Sequence, residues 1–211
     1  MEKLIDPLAF EAIIFDLGGV LLNIDYKASK TAFEALGVKD FDLHFSQLTQ
    51  SELFDRFETG KISAEEFREK IKIESQIQCS DSQIDAAWNA MLLDFPLHRI
   101  ELLEKLSGLV PLYLYSNSNE IHIRVFIKQL SGLGLLHRFE NSFRNRYYSY
   151  ELGMRKPHPE SFLHIVRENK LDPSKTLFID DSIQHIEGAK AAGLQAIFLP
   201  STMDITALFK L

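Results

Sequence analysis

The chain has 211 residues, of which 45% are hydrophobic and 25% charged, a balance that suits one folded domain or a core with a modest insertion and excludes wholesale disorder. A formal net charge of −7 opposes a polyanionic partner such as nucleic acid, so a small phosphorylated molecule needs local cations or a metal to bind. The single cysteine, Cys79, leaves no internal disulfide, and no signal-peptide pattern or apolar run of about 20 residues is found. A soluble cytoplasmic protein is expected, monomer or weak homodimer, without nucleic-acid or membrane partners.

The first apolar run, residues 12–15, is continuous rather than alternating, as a strand buried on both faces should be. The next run starts about 95 residues later, too far for one crossover, and the interval reads as helical. Ser63 with Glu66 and Ser80 with Gln83 have capping-box spacing. Ile84, Ala87, Trp88, Met91 and Leu92 then fall on one helical face, which reads as packing inside the helical unit. The charges over 65–72 read as a solvated face. Residues 24–94 are therefore expected to form an inserted helical cap, with 1–23 and 95–211 forming the core. Downstream come a helix over 97–106, a strand over 111–115 and a helix over 121–130. Arg144, Arg146, Tyr147, Tyr148 and Tyr150 mix basic and aromatic character and read as a sheet edge with its approach loop. Pro159 opens a helix carrying Phe162, Ile165 and Val166; a strand over 176–179, a helix ending at Gly193 and a strand over 195–199 complete the pattern. The expected class is α/β, a parallel sheet with helical crossovers.

In such a sheet ligands bind at the carboxyl ends of the strands. Asp16–Leu17–Gly18 follows the first run, Ser116–Asn117 the second and Asp180–Asp181 the third. A carboxylate such as Asp16 can act as a covalent nucleophile toward phosphorus, provided the repulsion between anions is neutralised. Mg²⁺ takes one or two carboxylates, and Asp16 with one of Asp180 and Asp181 could supply them. Gly18 permits a turn that aims its own carbonyl at the metal. Ser116, at a strand-to-helix junction, offers a hydroxyl and backbone N–H groups as a phosphate cradle. Lys156 lies in a loop stiffened by Pro157 and Pro159 and supplies the cation.

Together, Phe15–Asp16–Leu17–Gly18, Tyr115–Ser116–Asn117, Arg155–Lys156–Pro157 and Ile179–Asp180–Asp181–Ser182 resemble the four ordered motifs of the haloacid dehalogenase superfamily. The resemblance implies a Rossmann-like core with a helical cap inserted after the first motif. It implies Asp16 as nucleophile and metal ligand, the Gly18 carbonyl and Asp181 as further ligands, and Asp180 behind them holding a metal-bound water. Ser116, Asn117 and Lys156 would hold the transferring phosphoryl group. Asp16–Leu17–Gly18 and Glu151 through Pro157 also resemble a bacterial subgroup that includes glucose-1-phosphate-type phosphatases. A Mg²⁺-dependent phosphatase acting on a small phosphorylated metabolite is expected.

Gly18 departs from the superfamily pattern, which carries a general-acid Asp at that position. Loss of such an acid typically costs roughly 10²–10⁴ in rate. A less basic leaving oxygen needs less protonation, which points toward sugar 1-phosphates or a replacement acid. Asp25 and His122 are the two candidates, against their simpler readings as a helix cap and a surface histidine. Glu52, Arg56 and Glu58 are candidates to meet substrate hydroxyls. Two alternatives follow from the same residues: a phospho-ligand binder that lost catalysis with the acid, and a metal-free dehalogenase, which Asp180–Asp181 argues against.

Overall fold

The computed structural model describes residues 4–41 and 51–210; residues 42–50, within the expected 24–94 insertion, and the chain ends lie outside the described residues. Five parallel strands form one sheet: β1 (Ala12–Phe15), β2 (Leu112–Ser116), β3 (Asn145–Tyr148), β4 (Thr176–Asp180) and β5 (Gln195–Phe198), in the order β3-β2-β1-β4-β5. All of β1, β2 and β4 is buried, which accounts for their continuous apolar sequence. Side chains alternate between two cores. Ile13, Phe15, Leu112, Leu114, Leu177 and Ile179 face one helical layer, while Ala12, Ile14, Tyr113, Tyr115 and Phe178 face the other. The edge strand β3 lies where residues 144–150 read as a sheet edge, its Asn145 exposed and its Tyr147 and Tyr148 buried.

The core helices are α5 (Leu97–Ser107), α6 (Glu120–Gly132), α7 (Leu136–Asn141), α8 (Ser149–Leu152), α9 (Pro159–Glu168) and α10 (Ile183–Ala191). Between β1 and α5 come α1 (Tyr26–Ala35), α2 (Glu52–Glu58), α3 (Ala64–Ser75) and α4 (Asp81–Asn89). Both expected capping boxes are formed, Ser63 with Glu66 at α3 and Ser80 with Gln83 at α4. These helices share a core of their own, in which Trp88 contacts Phe33, Phe54 and Phe67. The apolar stripe read through Leu92 as one helix stops at Asn89. Beyond it the chain straightens and pairs antiparallel with the segment leaving β1: Asn23 N–H donates to Asp94 O, Leu93 N–H to Asn23 O and Asp25 N–H to Met91 O at 2.9–3.0 Å. The two connections of the helical segment thus form one short ribbon. Among the described residues no helix is long and apolar enough to cross a membrane.

Trp88 is fully buried at the centre of the helical segment and also stacks on His122 of α6, with ring centroids 4.6 Å apart. Truncating it removes packing that relaxation refills only in part. Trp88→Ala should lower unfolding stability by about 3–5 kcal/mol, read by denaturant titration followed by circular dichroism.

Candidate active site

Asp16 leaves the end of β1, and the chain then turns tightly, with Leu22 N–H donating to Leu17 O at 2.8 Å and Gly19 N–H to Leu22 O at 2.8 Å. Two glycines make that turn possible for different reasons. Gly19 has φ +76°, and a Cβ there would lie 2.2 Å from Asp181 Oδ2, so it both adopts a left-handed backbone and lets that carboxylate approach. At Gly18 a Cβ would meet Ile24 Cδ1 at 3.2 Å. The space in which a second acidic side chain would begin is thus bordered by an aliphatic group from the ribbon.

Lys156 is the centre of the constellation. Its side chain is fully buried, and its ammonium donates to Asp16 Oδ1 at 2.6 Å, Asp180 Oδ2 at 2.7 Å and Tyr115 O at 3.1 Å. All three ammonium donors are therefore engaged. The rings of Tyr115 and Phe178 flank the nitrogen at 5.4 and 5.3 Å. Burial by itself would lower the lysine's pKa, but Asp16 and Asp180 outweigh it and hold the ammonium above its usual range. Its backbone is clamped by Asn117, whose Nδ2 donates to Lys156 O and whose Oδ1 accepts from Lys156 N–H, both at 2.9 Å.

Asp180, the last residue of β4, is wholly buried. Its oxygens accept from Lys156, from Ser182 N–H at 2.8 Å and from His185 Nδ1 at 3.0 Å. Burial raises its pKa, yet Lys156 and His185 overcome that and leave the group ionised below the usual carboxylate range. Asp16 is shifted the other way. Burial is the main cause, and Asp180 and Asp181 add repulsion that Lys156 offsets only in part. One oxygen from each of Asp16, Asp180 and Asp181 lies within 4.8 Å of the others, so hard oxygen donors converge on one spot.

Asp16, Gly18, Ser116, Asn117, Lys156 and Asp181 all line one pocket. Asp180 stands behind it, its oxygens turned to Lys156, Ser182 and His185. Asn117 differs from expectation: with its side chain committed to the Lys156 backbone, its side-chain amide is a clamp rather than a phosphate donor. The two candidate acids are likewise otherwise engaged. Asp25 caps α1, accepting from Lys27 N–H at 2.9 Å, and is not part of the pocket lining. His122 does line the pocket, but it is buried rather than on the surface; Nε2 meets Trp88 O at 3.1 Å, and Nδ1 lies 3.3 Å from Asn119 Nδ2. Burial lowers its pKa to about 4, so the ring is neutral near pH 7 and is a poor general acid. Of Glu52, Arg56 and Glu58, only Glu58 lines the pocket.

Three residues not singled out by the sequence pattern, Tyr26, Arg155 and His185, also line the pocket. Tyr26 begins α1, and its phenol is held protonated well above the ordinary range, first by burial and then by Asp181, Asp16 and Glu58. His185, on the first turn of α10, is marked by its position five residues after Asp180 and Arg155 by its place beside Lys156, but only the fold shows that they and Tyr26 share one pocket.

The neutral burial of His122 has a consequence for stability. The unfolded chain binds a proton at this residue below about pH 6.5 and the folded one only near pH 4, so stability falls as pH drops through that interval, by on the order of 3 kcal/mol. A His122→Gln variant should show a shallower decline of unfolding free energy between pH 6.5 and 4 than the parent; parallel curves would contradict this assignment.

Comparison with known proteins agrees with this geometry. The model of the haloacid dehalogenase-like hydrolase family matches residues 10–193. The chain is 30% identical over 185 residues to a D-ribitol-5-phosphate phosphatase of Bacteroides thetaiotaomicron, covering 87% of this chain and 88% of that protein. A haloacid dehalogenase family enzyme of the same organism, crystallised as a variant with magnesium and inorganic phosphate, superposes with a TM-score of 0.89 at 33% identity, covering 96% of this chain and all of that one (100%). A similar hydrolase from Porphyromonas gingivalis gives a TM-score of 0.83 at 26% identity, over 92% of this chain and 93% of its own. With a family model covering most of its length and a converging strand-end site, the chain belongs to the haloacid dehalogenase-like hydrolases.

Proposed function

We propose that the protein is a Mg²⁺-dependent phosphatase that transfers the phosphoryl group of a small polyol or sugar phosphate to Asp16 and then to water. The observation that carries this reading is the buried Lys156 ammonium bonded to both Asp16 and Asp180 at the ends of adjacent strands. Asp16 Oδ attacks phosphorus, the bond to the alcohol oxygen breaks, and that oxygen takes a proton from solvent water as it leaves. Water then attacks the aspartyl-phosphate, releasing phosphate and regenerating Asp16. Ser116, at the end of β2, and the Asn117 backbone N–H receive phosphoryl oxygens, the next N–H, that of Ser118, being donated to Ser149 Oγ at 2.9 Å. Lys156 orients Asp16 and balances its charge.

The oxygen donors of Asp16 and Asp181, with Gly18 lining the same pocket, fit a hard divalent cation, and Asp180 sits behind them bonded to Lys156. Bound there, Mg²⁺ would neutralise charge between the nucleophile and the phosphoryl group. Magnesium in the related crystal structure supports this choice. The helices from α1 to α4 act as the cap over residues 24–94, and the ribbon at 23–25 and 91–94 is its hinge.

The alcohol is the finer question. The relative named for D-ribitol 5-phosphate favours a phosphate on a primary carbon of a polyol. Gly18, with no acid beside Asp16, favours the second reading, a sugar 1-phosphate whose anomeric oxygen leaves with less help. A panel comparing pentitol 5-phosphates, hexose 6-phosphates and hexose 1-phosphates separates the two.

Asp16→Asn should reduce Mg²⁺-dependent phosphate release from an activated aryl phosphate by at least roughly 10³-fold; full activity in that variant would contradict Asp16 as the nucleophile, and no release by the parent protein would favour the phospho-ligand-binding alternative. In the metal-free protein the Asp16 pKa is pushed up to about 7, so a proton competes with the cation at this oxygen. Mg²⁺ affinity should rise with pH across the region around 7 and binding should release protons, measured by calorimetry in two buffers of different ionisation enthalpy.

A further inference from the structure

Besides Asp16 and Asp181, the pocket is lined by a third carboxylate, Glu58, from the helical segment. Of the three residues on this stretch that the sequence offers as hydroxyl contacts, Glu52 and Arg56 have side chains 87% and 40% exposed. Glu58 is only 6% exposed. It is also fixed in place. Arg155, the neighbour of Lys156 in sequence, sets Nη2 3.3 Å from Glu58 Oε2 and Nη1 3.2 Å from Asp55 Oδ1, one turn back on α2. Two residues further on, Gly60 has φ +65°, and a Cβ there would lie 2.1 Å from the carbonyl of Tyr150. The end of α2 is therefore seated on the core by a guanidinium bridge and by a backbone approach that only glycine permits. Tyr26 lines the same pocket as Glu58, Asp16 and Asp181.

A fixed, buried carboxylate in a cavity wall has definite chemical preferences. It accepts hydrogen bonds from hydroxyl groups and repels another anion. It has no use for a bare hydrocarbon chain, which would leave it desolvated. We propose that Glu58, held by Arg155, selects the alcohol part of the substrate: it accepts hydrogen bonds from the hydroxyls of a neutral polyol or sugar chain and rejects phosphate esters whose chain carries a carboxylate. Arg155 is the positioning residue in this pair, joining cap closure to hydroxyl reading. The inference rests on the phosphatase reading of the same pocket and adds its selectivity.

The test is a ratio of kcat/KM values measured with Mg²⁺ on three esters: a pentitol 5-phosphate, pentyl phosphate of equal length without hydroxyls, and 2-phosphoglycolate. The parent protein should prefer the pentitol ester to pentyl phosphate by roughly 10–100-fold, the range of a hydrogen bond to a charged group. Glu58→Gln should shrink that preference by at least roughly tenfold and raise 2-phosphoglycolate relative to the pentitol ester, because the negative charge is gone and Arg155 loses its partner. Glu58→Asp should keep the rejection of 2-phosphoglycolate while losing part of the polyol preference. Both ratios come from one sample, so a smaller folded fraction cancels. Unchanged ratios in Glu58→Gln, or a parent that does not distinguish the pentitol ester from pentyl phosphate, would overturn the inference while Asp16-dependent hydrolysis left the phosphatase reading standing. No hydrolysis of any ester by the parent protein would instead overturn that reading, and this inference with it.

Discussion

An ammonium ion taken wholly out of water is costly, and several features of this molecule bear on keeping Lys156 there. Two carboxylates and a carbonyl take its three protons, and two aromatic rings flank it. Asn117 clamps its backbone from the end of β2. On the other side, a Cβ at position 188 would lie 2.0 Å from the Pro157 carbonyl, so Gly188 lets α10 close against the lysine loop. The start of the same helix supplies Ser182 N–H and His185 Nδ1 to Asp180. The result is two adjacent carboxylates in opposite condition: Asp180 saturated with donors and ionised, Asp16 under-compensated and raised. In the proposed reaction a divalent cation would complete the balance at Asp16, whose carboxylate must stay unprotonated to attack phosphorus.

Much of this was legible in the sequence because it depends on short-range pattern. Continuous apolar runs marked the buried strands β1, β2 and β4, and the residues after them named Asp16, Ser116 and Asp180. Capping boxes located the starts of α3 and α4. What could not be read depended on contacts across many residues. Asn117 looked like a phosphate ligand because its bonds to Lys156 cross 39 residues. His122 looked like a surface histidine because the carbonyl that holds it belongs to Trp88 in another helix. Met91 and Leu92 continued a helical stripe, but pairing with the segment leaving β1 pulls them out of α4 and into the pocket wall.

The same ribbon bears on the open half of the reaction. It carries Ile24 against Gly18, where the usual acid would begin, and delivers Met91 and Leu92 to the lining. The pocket therefore mixes apolar ribbon residues with Tyr26, Glu58 and Arg155, and in the proposed reaction these polar members would meet the alcohol rather than replace the acid. Selectivity and leaving-group chemistry are in this way divided between the two ends of the helical segment, α1 with its ribbon on one side and α2 on the other.

The central claim is that Asp16, held by Lys156, becomes phosphorylated. Borohydride reduces an acyl phosphate to an alcohol, converting a phosphorylated aspartate into homoserine. Quenching the Mg²⁺-loaded protein during turnover of an aryl phosphate, reducing it and sequencing its peptides by mass spectrometry should find homoserine at position 16 and nowhere else. Homoserine at position 181, or an unmodified Asp16 under conditions of active turnover, would contradict the account.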